Sequence, residues 1–507
     1  VATLAATLSS LLYGLLVALN RLSAALSPSR KHLHHARFAQ LHELASLQEG
    51  NTPGDPETSL LLGMGKLGRM LRVRPTRARR ELGNLLVVAP TRGGKGLLAT
   101  SQLLTWQQSV VVNDIKGELF AQTAGYRSTL GPVYVLDPTG VGHRYDPLLG
   151  KQTEDELLSS ATHLLFKADE GEGAIFTQRA TVMLTQLFLA AREEGAAPLP
   201  YVRQIIRTGL LAAAARLEAI SPELATQFLD VDFSEANFSD RFLLSAWGTL
   251  SARMRPLLTE TVVRSLAGAD FSARELMCGT RPTTVYLRWP ERDLLALSPL
   301  VRLLWGSLID ELITTYDRAQ GKECRPVLLL IDEAGRTAIP SLADHATTVV
   351  GRGVALWIAV QSLAQLDAVY GKARAQVLRD NVESQLYYRP SNQETAEYLE
   401  RCLGRKSGFA TSQTTHEGAP ASEGLSEQGV PLLTAQEIKQ LGDEDVIGFH
   451  RRLPPFLAKR MDWRRFGVLA KRRQLPAPRL TTLPACRPAW QRNEAVTSPY
   501  FDPDMVQ

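Results

Sequence analysis

Residues 84–96 read Asn-Leu-Leu-Val-Val-Ala-Pro-Thr-Arg-Gly-Gly-Lys-Gly. Four consecutive apolar residues run straight into a glycine-rich turn that ends in lysine, and a helical stretch follows. That order is the layout of a phosphate cradle. A buried strand brings the chain to a sheet edge, and glycines let backbone N–H groups turn inward. The helix that follows then offers its positive end to an anion. Thr91, Arg92, Gly93, Gly94, Lys95, Gly96 and Leu97 are therefore the candidate nucleotide-binding residues, with the Lys95 ammonium reaching the terminal phosphates. Two positions depart from the common pattern. Ala89 stands where the first glycine is usual, and Gly96 replaces the hydroxyl residue that ligates magnesium. Magnesium keeps several waters and needs few protein ligands, so ATP and Mg2+ remain the expected ligands.

A second element supports the first. Val327–Ile331 is a run of five apolar residues followed by Asp332-Glu333. A buried parallel strand that delivers two carboxylates at its C-terminal edge suits a nucleotide site in an α/β sheet. Asp332 is expected to hold magnesium through water, and Glu333 to orient or deprotonate the attacking water. Arg352, between Gly351 and Gly353, suits an arginine finger reaching a neighbouring subunit's phosphate. Gln361, at the end of the apolar run Val354–Val360, is placed to sense the terminal phosphate.

Working outward, strand signals at Val110–Asn113, Val133–Leu136, Thr283–Trp289, Val354–Val360 and Gln385–Tyr388 alternate with helical stretches. From about 151 to 275 the apolar spacing is helical, through Leu157–Phe166, Ala180–Ala191, Val202–Leu217 and Leu243–Leu258. The expected fold class is α/β, a parallel sheet interrupted by an all-α insertion. The expected divisions are 60–150 and 276–465 for the two parts of the nucleotide-binding domain and 151–275 for the all-α domain. Residues 27–59 are a polar linker, 405–430 a mobile loop, and 466–507 an irregular basic tail. The first 26 residues form a candidate membrane helix, because Val1–Leu19 carries no charge and Arg21, Arg30 and Lys31 follow. The chain begins at valine rather than methionine, which leaves room for an earlier helix.

Other features carry less. A net charge of +5 tolerates a polyanionic partner without requiring one. Cys278, Cys324, Cys402 and Cys486 show no paired spacing and read as reduced thiols rather than a zinc or disulfide framework. Gly63–Gly68 spells a dinucleotide fingerprint but lacks a strand-to-helix setting. The arginines from Arg69 to Arg80 read as a solvated hairpin edge rather than a nucleic-acid patch.

Taken together, these motifs resemble the TraG/TraD-type coupling ATPases of type IV secretion and conjugation. The resemblance rests on Ala89–Gly96, on Asp114-Ile115-Lys116-Gly117-Glu118, and on Leu330–Glu333. It extends to Gln361–Leu366 with Tyr370-Gly371 and to Pro431–Thr434, and it covers roughly residues 60 to 465. It implies a RecA-like P-loop NTPase on the cytoplasmic side of the bacterial inner membrane, forming a homo-hexamer around a channel. It further implies ATP hydrolysis that moves relaxase-linked single-stranded DNA, or protein effectors, to the secretion channel, with the all-α domain as the recognition face. Such relatives usually have two N-terminal membrane helices, whereas this chain shows at most one. The rival expectations are a soluble DNA translocase or helicase of the same class and a recruitment scaffold without productive turnover.

Overall fold

The structure, a computed structural model, describes residues 34–47, 57–66, 68–75, 82–151, 153–165, 173–337, 339, 342–414 and 422–485. The candidate membrane helix at 1–26 lies outside them. Among the described residues, no helix is long and apolar enough to cross a membrane. Strands are numbered β1 to β14 in chain order.

Two compact units form. Among the described residues, the first comprises those within 34–107, 331–335 and 346–473, and the second those within 108–330, 336–345 and 474–485. In the first unit, β1 (Leu60–Met64), β2 (Met70–Val73), β3 (Leu85–Val88), β9 (Val354–Val360), β10 (Ser384–Tyr388), β13 (Asp445–His450) and β14 (Phe456–Lys459) line up in the order β2-β1-β14-β13-β10-β3-β9. The centre is parallel: β3 pairs with β10 on one side and β9 on the other. Both β3 and β9 are buried along their whole length, which is why they read as unbroken apolar runs. Asn84, just before β3, is itself buried. Its side chain donates to the Ala346 carbonyl (2.8 Å) and accepts from Leu356 N (3.0 Å), which fixes where β3 begins beside β9. The helix Lys95–Thr105 is tied to the sheet by buried Gln102, which accepts from Leu61 N and donates to the Ser59 carbonyl, both at 2.8 Å.

In the second unit, β4 (Ser109–Asp114), β5 (Val133–Asp137), β6 (Val141–Gly142), β7 (Thr284–Arg288) and β8 (Val327–Ile331) follow the order β8-β4-β7-β5-β6. β7 runs parallel to both β4 and β5. Between β6 and β7 the described elements are helices, from Glu154–Leu165 to Ala273–Cys278, and those from Glu154–Leu165 to Arg241–Leu257 pack around the long helix Ala174–Glu193. Polar caps start several of these helices: Asp240 accepts from Leu243 N and Ser272 from Glu275 N. The string Asp114–Glu118 also has a structural task. The Asp114 carboxylate, 2% exposed, accepts from Phe120 N (2.7 Å) and so caps the helix Glu118–Leu130.

Several expectations are corrected. Val202–Leu217 is two helices, Pro198–Ile205 and Leu210–Ile220, parted at Gly209, whose φ of 92° a helix cannot use. The loop expected at 405–430 is an antiparallel ribbon, β11 (Arg405–Thr414) with β12 (Ser422–Pro431). Its polar composition hid the strands, because ladder hydrogen bonds rather than apolar alternation define it. The tail expected to be irregular from 466 opens with a helix, Gly467–Arg473. Gly63 lies within β1, paired with Leu71, and Gly65 and Gly68 lie in the turn to β2, where Gly68 N donates to the Gly65 carbonyl (3.0 Å). Arg72 on the return strand and Arg74 just after it are half-buried rather than on an open edge; both pair with Glu57, at 3.1 and 3.2 Å.

Candidate nucleotide site

The site is built at the C-terminal edge of the parallel strands in the first unit. Beyond β3 the chain turns tightly, with Gly93 N donating to the Pro90 carbonyl (2.9 Å). Arg92 (φ 65°) and Gly94 (φ 109°) are both left-handed, an alternation that turns successive N–H groups to one side. Leu97 N is already satisfied by the Gly94 carbonyl. Among the described residues, the N–H groups of Gly94, Lys95 and Gly96 donate to no protein acceptor. Three free donors at the start of an eleven-residue helix make an anion cradle.

Lys95 reaches across to the residues that follow β8. Its ammonium forms a close ion pair with Glu333 Oε1 and lies 3.3 Å from Asp332 Oδ1. The three side chains are mostly enclosed, at 11%, 13% and 21% exposed for Lys95, Glu333 and Asp332. Burial raises the Asp332 carboxyl above its ordinary range, and the neighbouring Lys95 charge only partly offsets this. Gln361, one residue beyond β9, donates to Glu333 Oε2 (3.0 Å), and its own amide oxygen accepts from the Thr91 hydroxyl (3.3 Å). The expected residues Thr91, Lys95, Asp332, Glu333 and Gln361 therefore form one connected set. Gln365, which sequence reasoning passed over, fixes Gln361 by accepting from its backbone N–H (3.0 Å).

Arg352 is placed elsewhere. It precedes β9 while Gln361 follows it, and seven strand residues at about 3.3 Å each put it roughly 20 Å away. Its guanidinium donates to the Thr348 carbonyl (3.1 Å). Sequence reasoning also missed Tyr388 and Arg460, which flank the loop. A methyl group on Gly94 would lie 3.1 Å from Arg460 Cδ and 3.5 Å from Tyr388 Cε1. Tyr388 carried a signal: it ends the strand next to β3, at the height where the loop begins.

The donor set suits magnesium more than a caged metal. Among the described residues, no cluster of three or more His, Cys, Asp and Glu side chains is present. Two carboxylates beside an open cradle fit an ion that keeps most of its waters. A side chain on Gly96 would meet nothing within 4 Å, so this position has room for one.

A family model described as type IV secretory system conjugative DNA transfer matches residues 63–481. The chain belongs to that family. Among curated proteins, this family member is 27% identical over 409 residues to Protein VirD4 of Rhizobium radiobacter, covering 76% of this chain and 57% of that one. It is 26% identical to Protein VirD4 of Agrobacterium fabrum strain C58, covering 85% and 66%. It is 27% identical to the conjugal transfer protein TraG of Escherichia coli, covering 78% and 70%. The chain thus spans less than two thirds of the VirD4 proteins it matches. Among solved structures it resembles the bacterial conjugative coupling protein TrwBdeltaN70 in complex with sulphate, with TM-score 0.62, 20% identity and coverage of 85% and 95%. It also resembles plasmid coupling protein TrwB in complex with ADP and Mg2+, with TM-score 0.60, 19% identity and coverage of 90% and 97%. These likenesses establish the fold, and the expected RecA-like P-loop sheet carrying an all-α segment is what the conjugative-transfer family member has.

Proposed function

We propose that the protein is an ATP-hydrolysing coupling protein that moves DNA, with or without bound protein, to a type IV secretion channel. The observation that carries this reading is the convergence of Lys95 with Asp332, Glu333 and Gln361 beside three unsatisfied N–H donors. The cradle binds the phosphate chain, and the Lys95 ammonium exchanges its carboxylate partner for phosphate oxygens. Asp332 would hold Mg2+, which when bound neutralises phosphate charge. Glu333 then takes the proton of the attacking water, and Gln361 holds Glu333 in line. Family membership and a related structure whose description includes ADP and Mg2+ support the choice of ligands.

Arg352 lies too far from this cradle to serve it, so we assign it to the neighbouring subunit's nucleotide in a homo-hexamer. The helical segment 151–275 would be the face that selects relaxase or effector cargo. The uncharged stretch Val1–Leu19 supports attachment at the bacterial cytoplasmic membrane, with the ATPase on the cytoplasmic side. The test is ATP turnover with and without single-stranded DNA across a salt series. DNA-stimulated turnover with a steep salt slope is expected, together with its loss in a Lys95→Ala variant that still folds. Nucleotide binding without any turnover would favour a recruitment scaffold instead.

A further inference from the structure

We infer that Arg460 is a second cation for the nucleotide's phosphate chain, supplied from the same subunit as the cradle, with the Tyr388 hydroxyl as its companion donor. The topology brings both residues to the right edge. β10 runs parallel to β3 with Tyr387 opposite Val88, so Tyr388 stands level with Ala89, where the loop begins. β13 is antiparallel to β10, pairing Val446 with Tyr388, and β14 returns antiparallel so that Lys459 faces Asp445. The chain therefore leaves β14 at Arg460 on the edge where the phosphate loop lies. There, Arg460 Nη1 and Cδ come within 3.7 and 3.1 Å of where a Gly94 side chain would be.

The charge arrangement argues for an anion at this place. Four acids lie in this part of the chain, and each serves another cation. Asp443 pairs with Arg389, Glu444 with Arg465, Asp445 with Lys459, and Asp462 with Arg464. Arg460 is half-buried, and among the described residues its Nε has no hydrogen-bond acceptor. Tyr388 is 2% exposed, and its hydroxyl likewise has no partner. Leaving the Arg460 Nε and a buried hydroxyl unmatched is costly unless a ligand completes them. A phosphate on the cradle would do so, accepting from both through charge-assisted hydrogen bonds.

This inference rests on the ATPase reading, and the test separates the two. Fluorescent mant-ATP is titrated into the wild type, Lys95→Ala, Arg460→Ala, Arg460→Gln, Arg460→Lys and Tyr388→Phe, each with its melting curve. Arg460→Ala and Arg460→Gln are expected to bind roughly tenfold to a hundredfold more weakly. Arg460→Lys should recover part of the loss, and Tyr388→Phe should lose less than Arg460→Ala. Inorganic pyrophosphate should compete with mant-ATP less well on Arg460→Gln than on the wild type, which assigns the contact to phosphate rather than to the base. Should Arg460→Ala melt early, the folded Arg460→Gln decides. Binding within twofold of the wild type by a folded Arg460 variant, with binding lost in Lys95→Ala, overturns this inference alone. No binding by the wild type overturns it together with the ATPase reading.

Discussion

Lys95 and Glu333, 238 positions apart in the chain, form a close ion pair, and Glu333 makes it from a left-handed backbone with φ 58°. A non-glycine residue held in that region is uncommon and costs of order 1 kcal/mol. The turn is fixed by Glu333 N donating to the carboxylate of Asp332 (3.1 Å) and by Ala334 N donating to the Ala359 carbonyl (2.9 Å). The strained turn aims two adjacent carboxylates at one ammonium.

The pairing separates binding from chemistry. Glu333→Gln keeps the shape and the hydrogen bond to Gln361 but removes the base. ATP turnover should fall about a hundredfold or more, the usual worth of a positioned base, while mant-ATP affinity stays within a few-fold of the wild type. Near-normal turnover in this variant would exclude Glu333 as the proton acceptor.

Gly96 offers the opposite experiment, a gain. Its Cβ direction is open and it lies in the first turn of the helix Lys95–Thr105, so a hydroxyl fits without disturbing the core. Gly96→Ser should also help the helix, since glycine costs about 1 kcal/mol there relative to alanine. The Mg2+ concentration for half-maximal turnover should drop. An unchanged Mg2+ dependence would mean that the metal does not approach this side of the loop.

Sequence alone was sufficient where chemistry and burial coincide. Unbroken apolar runs are not ambiguous when a strand is buried on both faces, as Leu85–Val88 and Val327–Ile331 are, and the residues that follow each run are the site. Three things were out of reach. β11 and β12 are polar strands with no apolar alternation to betray them. β13 was missed because Gly448 interrupts its apolar run, and β14 because it is only four residues long. Arg460 could not be picked from the many arginines of the last hundred residues, because what sets it apart is that its neighbours' acids are already engaged.

In the second unit, Glu311 is a buried carboxyl that accepts from the Tyr145 hydroxyl (3.0 Å), and burial pushes it up to about 7 from an ordinary 4.5. The folded protein therefore holds a proton that the unfolded chain releases between pH 4.5 and 7. Stability attached to this group is intact below pH 4.5 and is lost as pH rises toward 7, by about 3 kcal/mol in all. Glu311→Gln, which keeps an acceptor for Tyr145, should unfold like the wild type at pH 4.5 and be the more stable protein at pH 8. Denaturant midpoints at the two pH values check this. An equal difference at both would show that Glu311 is not protonated in the native state.

Cys278 and Cys324 showed no relation in the sequence, yet their sulfurs are 3.6 Å apart. Cys278 ends the helix Ala273–Cys278 and Cys324 lies just before β8, so folding brings together two thiols 46 positions apart. A disulfide needs about 2 Å, a small shift for a thiol on a loop. Burial, and then the hydrogen bond with Cys278, raises the Cys324 thiol to about 11, so little of it is thiolate at neutral pH. Thiolate is the attacking species, and oxidation should therefore be slow at pH 7 and quicken by up to about tenfold per pH unit toward pH 10. With oxidised glutathione as the oxidant, one thiolate takes up glutathione as a mixed disulfide and the other displaces it, so a digest of the oxidised protein should contain a Cys278–Cys324 linked peptide. Cys324→Ser cannot complete the second exchange and should keep glutathione bound at Cys278. If prolonged oxidant at pH 9 gives glutathione adducts but no Cys278–Cys324 link, the two sulfurs do not come within bonding reach in solution.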